Sequence, residues 1–449
     1  MKERISKSRG LLILFAVIFV MSTLWAFLIP WTWSTIDDPG FVLSLKAATA
    51  DSNVLFAIWD HIISAAQNEP AWGVFRPAYW VYLATFYLLP VDVAHGLRMA
   101  MLLVAIAGPL VYIHRRGASK SVIAFSAVLL GIAAAPLTLG LIFLSLQELS
   151  GTALVGLGLM AKRSWVRTLW WVIAAWFKSP FAWLLIGYAV VLWRRGEKKL
   201  ATLNASLGLL TLALAFLFSR YGSYTAPRSR TGLWQIWDAV YNNTFKILES
   251  PMALLLIAVL WWLLWTEGRI KFRSAAIVFG LGWVGYTLQM TQWEVTFYYF
   301  GPILFLLGVF FVMTLDSSTE VNKLRIFIGL FLAVLILIVQ TGGSLRFGLM
   351  VNRSLITAEE CLQKVGSGSY ALTGEMSSVV TIEGELRIMQ NLELRDPTWN
   401  GEVKFEDGTG LATNSSDYAL VFGGLPVPEG FAPHVLCGSS EASIHERVR

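Results

Sequence analysis

Along most of its length the chain is divided into apolar runs close to the length that crosses a bilayer, and the breaks between them are short and basic. A hydrocarbon core takes roughly 20 apolar helical residues to cross. In that core every backbone polar group has to be satisfied without water, which leaves helices or closed barrels. Uninterrupted apolar runs select helices. Hydrophobic residues are 56% of the 449 and charged residues 14%, against about 25% charged in a soluble domain. One water-facing globule cannot bury so much apolar surface, so the composition implies a polytopic helical membrane protein. The 20 tryptophans and 13 tyrosines suit an interfacial aromatic belt.

Orientation follows from the basic clusters. Lys2, Arg4, Lys7 and Arg9 precede the run 11–30. That run is long for a secretory signal and no small-x-small cleavage site follows, so it reads as a retained first helix with the N-terminus inside. Further clusters fall at Arg115-Arg116 with Lys120, Lys162-Arg163 with Arg167, Arg194-Arg195 with Lys198-Lys199, Arg269 to Arg273, and Lys323 with Arg325. Placing all of them inside yields eleven spans, over about 11–30, 92–113, 120–143, 147–162, 165–178, 180–194, 200–218, 251–267, 274–292, 299–315 and 325–342. The apolar stretch Pro77–Pro90 is too short to cross, and a crossing there would put Arg115 and Arg116 outside. It is therefore expected to lie along the outer membrane surface.

The expected fold is an all-α polytopic membrane protein, N-terminus in and C-terminus out, with a small extracytoplasmic C-terminal domain of β or α+β content. Residues 1–342 form the transmembrane domain, including an outer loop 31–91 with membrane-surface helices, and 343–449 form the tail domain. The tail is rich in Gly, Ser, Thr and Asn and has short alternating stretches at 379–383 and 418–422. The chain's two cysteines, Cys361 and Cys437, both lie there. Two cysteines make no metal site without partners at ligand spacing, and outside the cytoplasm a disulfide is the simpler reading. Topology accounts for the net charge of +6, and no nucleic-acid motif is present.

This arrangement gathers the remaining acids and bases on the outer face, and charges at a membrane boundary are costly. Asp37 and Asp38 follow the first span directly. They suit a general base with a hydrogen-bonding or metal-binding partner, and the sequence Asp-Asp-Pro-Gly suits a plain turn equally well. Arg76 precedes a proline at the head of a short apolar segment, where an arginine fork and helix N-terminal amides converge on an anion. Tyr79 belongs to the same element as a substrate-positioning candidate. Lys178, between two apolar runs, reads either as a second phosphate ligand or as a snorkelling lysine. Glu148 reads as an acidic partner or as a helix-start residue, and Arg98 lies near the outer end of its helix with His95. Glu294, Tyr298 and Tyr299 line a later outer turn. The basic and aromatic loop 219–250 reads as an interfacial anchor or a lipid-linked sugar contact. The chain has no phosphate-binding glycine loop, no His-x-x-x-His pair and no Gly-x-Ser-x-Gly elbow.

The order of these parts resembles the GT-C superfamily of membrane glycosyltransferases, which use polyprenyl-phosphate sugars. A first helix ends in an acidic pair. A long outer loop follows with Phe75-Arg-Pro-x-Tyr-Trp80, then a helix carrying Arg98, an outer Glu148 and an outer Lys178. The Arg-Pro element looks like that of bacterial members, including aminoarabinose transferases and protein mannosyltransferases. The resemblance covers residues 1–200 by ordered motifs and the rest by topology alone. It implies that Asp37 or Asp38 is the general base, and that Arg76 and Lys178, with Arg98, hold the lipid phosphate. Glu148 would position sugar or acceptor, or join Asp37 and Asp38 around a divalent metal such as magnesium or manganese. The implied partners are a polyprenyl-phosphate-linked sugar, an acceptor glycan, lipid or protein, and membrane lipids. The implied place is a bacterial-type inner or plasma membrane, with the site facing the periplasm or exterior. The turn at 294–302 lacks the His-Arg-Tyr signature of some members. A lipid-linked glycan polymerase or ligase is a rival from the same chemistry. A transporter or flippase would instead predict ionisable residues at mid-membrane and matching halves, and neither is visible. The topology predicts that cysteines placed at positions 60 and 115 label from opposite sides of the membrane; labelling of both from one side would overturn the surface placement of 77–90.

Overall fold

A computed structural model describes residues 38–50, 53–221, 274–290, 300–314, 353, 356–373, 403–407, 416–422, 427–439 and 442–448. These residues are mostly helical, with a few strands toward the C-terminus. The expected spans 11–30, 251–267 and 325–342 lie outside them, as do Asp37, Glu294, Tyr298, Tyr299 and residues 222–250.

The helices are α1 (Asp38–Ala50), α2 (Val54–Trp72), α3 (Pro77–Phe86), α4 (Val91–Arg115), α5 (Lys120–Ala134), α6 (Gln147–Met160), α7 (Ser164–Phe177), α8 (Ala182–Arg194), α9 (Lys198–Tyr221), α10 (Ser274–Met290) and α11 (Phe300–Thr314). From α4 onward they occupy the apolar runs between the basic breaks. Among the described residues, Val91–Arg115 and Lys198–Ser219 are long and apolar enough to cross a membrane. The apolar helices Ser179–Arg194, Ser274–Met290 and Gly301–Thr314 are shorter.

Three local outcomes differ from the sequence expectation. The run 120–143 is not one helix: α5 stops at Ala134 and a 3-10 turn covers Ala135–Leu141 with Pro136 at its start. A proline lacks the N–H that a continuing α-helix needs and clashes with the preceding turn. The sequence Asp38-Pro39-Gly40 is not a reverse turn but the head of α1. A first-turn proline is well tolerated because its N–H would have no helical partner there. The segment expected to lie along the membrane surface to Pro90 forms a helix only to Phe86, about 15 Å long. It buries Tyr79, Trp80, Leu83, Ala84 and Phe86 in the protein. Tyr79, Trp80, Leu83 and Phe86 share a hydrophobic cluster with Val42 and Leu45 of α1 and Phe177 of α7.

The centre of the helical part is the crossing of α4 and α6. A Cβ added at Gly156 would lie 2.4 Å from the Val104 carbonyl oxygen, and one at Gly108 would lie 2.5 Å from the Gly156 Cα. The two backbones therefore touch, and no side chain fits between them. Trp171 of α7 is buried and donates its indole N–H to the Val155 carbonyl at 3.1 Å, which registers α7 against α6. These contacts set where the first turn of α6 and the last turn of α7 arrive.

The tail contains a five-stranded sheet in the order β2-β1-β3-β5-β4. Its strands are β1 (Gly368–Thr373), β2 (Val403–Asp407), β3 (Tyr418–Phe422), β4 (Cys437–Gly438) and β5 (Ala442–Glu446). β1 runs parallel to both β2 and β3, and β5 runs antiparallel to both β3 and β4. A short helix over 356–365 precedes the sheet. Its Cys361 is joined to Cys437 of β4 by a disulfide, with the Cα atoms 5.5 Å apart.

Replacing Gly156 by valine should force α4 and α6 apart and destabilise the protein by about 1–3 kcal/mol, the range for overpacked cores. Thermal unfolding in detergent checks this, and an unchanged midpoint would mean that the crossing relaxes freely.

Candidate functional site

A cavity of about 380 Å³ opens where four parts of the chain converge. The link between α2 and α3 supplies Gly73 to Arg76, and the α7–α8 connection supplies Lys178, Ser179, Pro180 and Trp183. The second half of α9 supplies Leu212, Ala215 and Phe216, and the end of α10 supplies Leu288, Gln289 and Met290. Phe75 anchors the link to α9 through an edge contact with Phe218, ring centroids 6.0 Å apart.

Two cations expected from the sequence reach this cavity, and adjacent residues of one helix turn hold them. Lys178 forms a buried ion pair with Glu148, the side chains being 7% and 4% exposed. The Lys178 Nζ donates to Glu148 Oε1. Glu148 Oε2 is buried with no hydrogen-bond partner among the described residues. One residue earlier, Gln147 is oriented to satisfy both its neighbours. Its side-chain oxygen accepts from Arg76 Nη1 at 2.6 Å, and its nitrogen donates to the Phe177 carbonyl at 2.7 Å. Gln147 and Glu148 open α6, where the helix dipole favours negative charge. The lysine stands between helices because α7 ends on it: Lys178 is extended at φ −150°, and the 3-10 turn Ser179–Phe181 follows with Pro180 inside.

Arg76 is set by its backbone as well as its side chain. Its N–H donates to Glu69 Oε1, and the same oxygen accepts from Trp80 Nε1 at 2.7 Å. Glu69 belongs to the last turn of α2 and is buried. Burial pushes its carboxyl above the usual carboxylate range, against the pull of the Arg76 N–H, the Trp80 N–H and the Arg76 charge. Among the described residues, Lys178 pairs with Glu148, and the Arg76 side chain meets the neutral Gln147 amide with the Glu69 carboxyl close by.

The structure redirects two expected site residues. Arg98 is fully buried at 0% exposure and faces acceptors of its own fold rather than the cavity. Its Nε donates to the Gly140 carbonyl at 2.7 Å and its Nη2 to the Leu146 carbonyl at 2.7 Å. Its Nη1 donates to Ser150 Oγ at 2.8 Å and to Tyr82 Oη at 3.2 Å. Four of the five guanidinium N–H directions are thereby committed to internal partners. Arg98 clamps the connection into α6 and is not placed as a phosphate ligand. Tyr79 is likewise buried, and its hydroxyl donates to the Ser145 carbonyl at 2.8 Å. It ties α3 to the residues just before Gln147 and does not line the cavity.

Of the acidic pair, Asp38 begins α1 and Asp37 lies outside the described residues. α1 packs Val42 and Leu45 into the cluster that contains Phe177, the neighbour of Lys178. Among the described residues no group of three His, Cys, Asp or Glu side chains is placed to hold a metal ion. The carboxylate set named for magnesium or manganese includes Asp37, so it falls partly outside them. Trp183 and Gln289 were not singled out from the sequence, and Gln147 and Glu69 stood only as part of an outer turn and of the outer-face charges, with no role given to either. The one available signal was Glu69, an acid in a chain with few, and its partner eleven residues on was not legible. No family model matches the chain, and no curated protein and no solved structure matches it.

Removing one member of the Glu148–Lys178 pair leaves a buried charge unmatched, at a cost of about 3–5 kcal/mol. Lys178→Met and Glu148→Leu should each destabilise the protein by that order, and the double variant by much less than their sum. Denaturant unfolding of the four proteins checks it; strict additivity would mean that the two side chains do not interact.

Proposed function

We propose that the chain is an integral-membrane glycosyltransferase of the GT-C type, which moves a sugar from a polyprenyl-phosphate donor to an acceptor hydroxyl on the outer face of the membrane. The observation that carries this reading is the cavity. Arg76 and Lys178, far apart in sequence, both line it, together with the apolar Leu212, Ala215, Phe216, Leu288 and Met290. A lipid phosphate presents both chemistries, an anion joined to a long apolar chain. The outer surface of α9 beside the cavity is also apolar, with Phe216 64% exposed, as suits a wall shared with lipid.

In this reading the eleven spans expected from the sequence run from an inner N-terminus to an outer C-terminal domain, and the cavity faces the periplasm or exterior of a bacterial-type inner membrane. Arg76 and Lys178 hold the phosphate. Asp37, with Asp38 beside it, accepts the proton of the acceptor hydroxyl. The freed oxygen lone pair forms a bond to the anomeric carbon while the bond from that carbon to the phosphate oxygen breaks. The bonding pair leaves on the phosphate, giving polyprenyl phosphate, and attack from the opposite side inverts the anomeric centre. Charge grows on the phosphate as the bond breaks, so fixed cations there lower the barrier more than they aid ground-state binding. Glu148 keeps Lys178 charged and aimed. No step is routed through a metal.

Sugar transfer measured in proteoliposomes with polyprenyl-phosphate sugars tests the assignment. Asp37→Asn or Asp38→Asn should lower turnover by roughly 10²–10⁴, the usual contribution of a positioned base. Full activity in both variants would remove the pair from catalysis.

A further inference from the structure

The end of the helix bundle away from the cavity carries an unmatched positive surface. Three doublets of exposed cations lie there: Lys162-Arg163 just before α7, Arg194-Arg195 at the end of α8, and Lys198-Lys199 at the start of α9. Helix packing brings them to one level. Asn204, in the second turn of α9, donates to Thr168 Oγ1 of α7 at 2.9 Å, so α7 and α9 start side by side. α8 returns to the same end, with its Tyr188 ring 5.5 Å from the Arg167 guanidinium of α7. Among the described residues none of the six cations pairs with a carboxylate, and the one acid in these two links is the exposed Glu197. Arg167 is different, being spent on the fold: it donates to the Gly158 and Ala161 carbonyls at 2.9 Å. The six exposed side chains have no such carbonyl partners among the described residues.

The neighbours of these cations narrow the kind of anion they suit. One turn further along each helix the same face is apolar and exposed. On α7, Leu169 follows Trp165 by four residues, and on α8, Val190 precedes Trp193 by three. On α9, Leu203 follows Lys199 by four residues and Leu210 follows seven later. Trp165 and Trp193 are 55% and 57% exposed, and Lys198 Nζ lies 5.8 Å from the Trp193 ring centroid. On α7 and α8 the order is therefore cation, tryptophan, aliphatic side chain. A phospholipid offers phosphate, interface and acyl chain in the same order. A soluble polyanion would match the charges and leave the aliphatic band in water. The cations also carry a cost that an anion offsets. They repel one another, and the doublets at α7 and α9 stand at the positive ends of helix dipoles whose first turns hold no acid.

We infer that this end of the bundle is a binding surface for anionic phospholipids, whose phosphates meet the three cation doublets and whose acyl chains lie along the exposed aliphatic side chains. The inference shares the bilayer of the proposed function and none of its site residues. Lys178, at the cavity, follows the last turn of α7, roughly 20 Å from the first.

The test reconstitutes the full chain in equal amounts of phosphatidylglycerol and phosphatidylcholine, extracts it in mild detergent and counts the retained lipids by native mass spectrometry. Phosphatidylglycerol should be retained roughly tenfold over phosphatidylcholine, since each cation at a membrane surface adds severalfold to the affinity for an anionic lipid. The ratio should shrink as salt is raised. Replacing any one doublet by glutamines, as in Lys198→Gln with Lys199→Gln, should lower it severalfold. Arg353→Gln with Lys364→Gln, which removes the same charge from exposed positions of the tail, should leave it unchanged. Equal retention of the two lipids by the wild-type protein would overturn the inference. So would a preference that survives replacement of all three doublets. An equal fall in the tail variant would mean that net charge, and not this surface, sets the preference, and the assignment would be lost. Displacement of phosphatidylglycerol by millimolar glycerol phosphate would replace the lipid with a soluble phosphate as the occupant and refute the proposal. Sugar transfer is read at the other end of the helices, so failure here leaves that proposal to its own assay.

Discussion

The two cations lining the cavity are organised by two consecutive residues at the head of α6. Gln147 bonds Arg76 and Glu148 bonds Lys178. Taking a lysine and a glutamate out of water is expensive, and mutual attraction repays it only when the geometry is close and held. Much of the surrounding structure serves that requirement. The Gly108–Gly156 contact brings α6 against α4 with no slack. Tyr79 fastens α3 to Ser145, just ahead of the pair. The bond from Gln147 to the Phe177 carbonyl ties the end of α7 to the same turn. A shift of that turn would disturb both cations together, which makes the first turn of α6 the element on which the site depends.

Arg76 and Arg98 show how one residue type serves two purposes. Arg98 is buried more completely, and its guanidinium is spent on carbonyls and hydroxyls that converge from the 3-10 turn, from Leu146, from Ser150 and from Tyr82. A cation solvated this way by fixed dipoles is a structural fastener, with little capacity left for an anion. Arg76 is fixed by its backbone N–H to Glu69 and by a single amide on its side chain, and it lines the cavity. Its remaining donors are what a phosphate would meet. The difference lies in the number of acceptors that the fold brings to each guanidinium.

Much of the helical layout was legible because its signal is local. Apolar runs of fixed length between basic breaks located α4 and α6 to α11 to within a few residues, and alternation located β3 in the tail, while the other alternating stretch, 379–383, lies outside the described residues. Errors arose where the decisive information was not local. The run 120–143 was read as one helix, although α5 stops just before Pro136. The segment Pro77–Pro90 was read as helical throughout, yet α3 ends at Phe86, and its apolar character did not report the aromatic cluster that buries part of it. The stretch Asp37-Asp-Pro-Gly40 left a turn and a catalytic base both open, yet such residues also begin helices, as Asp38 begins α1.

The sequence alone determined which residues carry charge in an apolar chain, and therefore that Arg76, Glu148 and Lys178 needed an explanation. It also determined the spacing of the helices and the pairing available to two cysteines. Only the tertiary structure decided which charges meet. Arg98 and Arg76 are equally basic in sequence, and their separation into fastener and cavity wall depends on carbonyls arriving from residues 140 and 146. In sequence Gln147 is an ordinary side chain. It acquires a role because helix packing places its neutral amide on a cation. Hydrogen bonding acts over about 3 Å, and no pattern along the chain reports which residues will come that close.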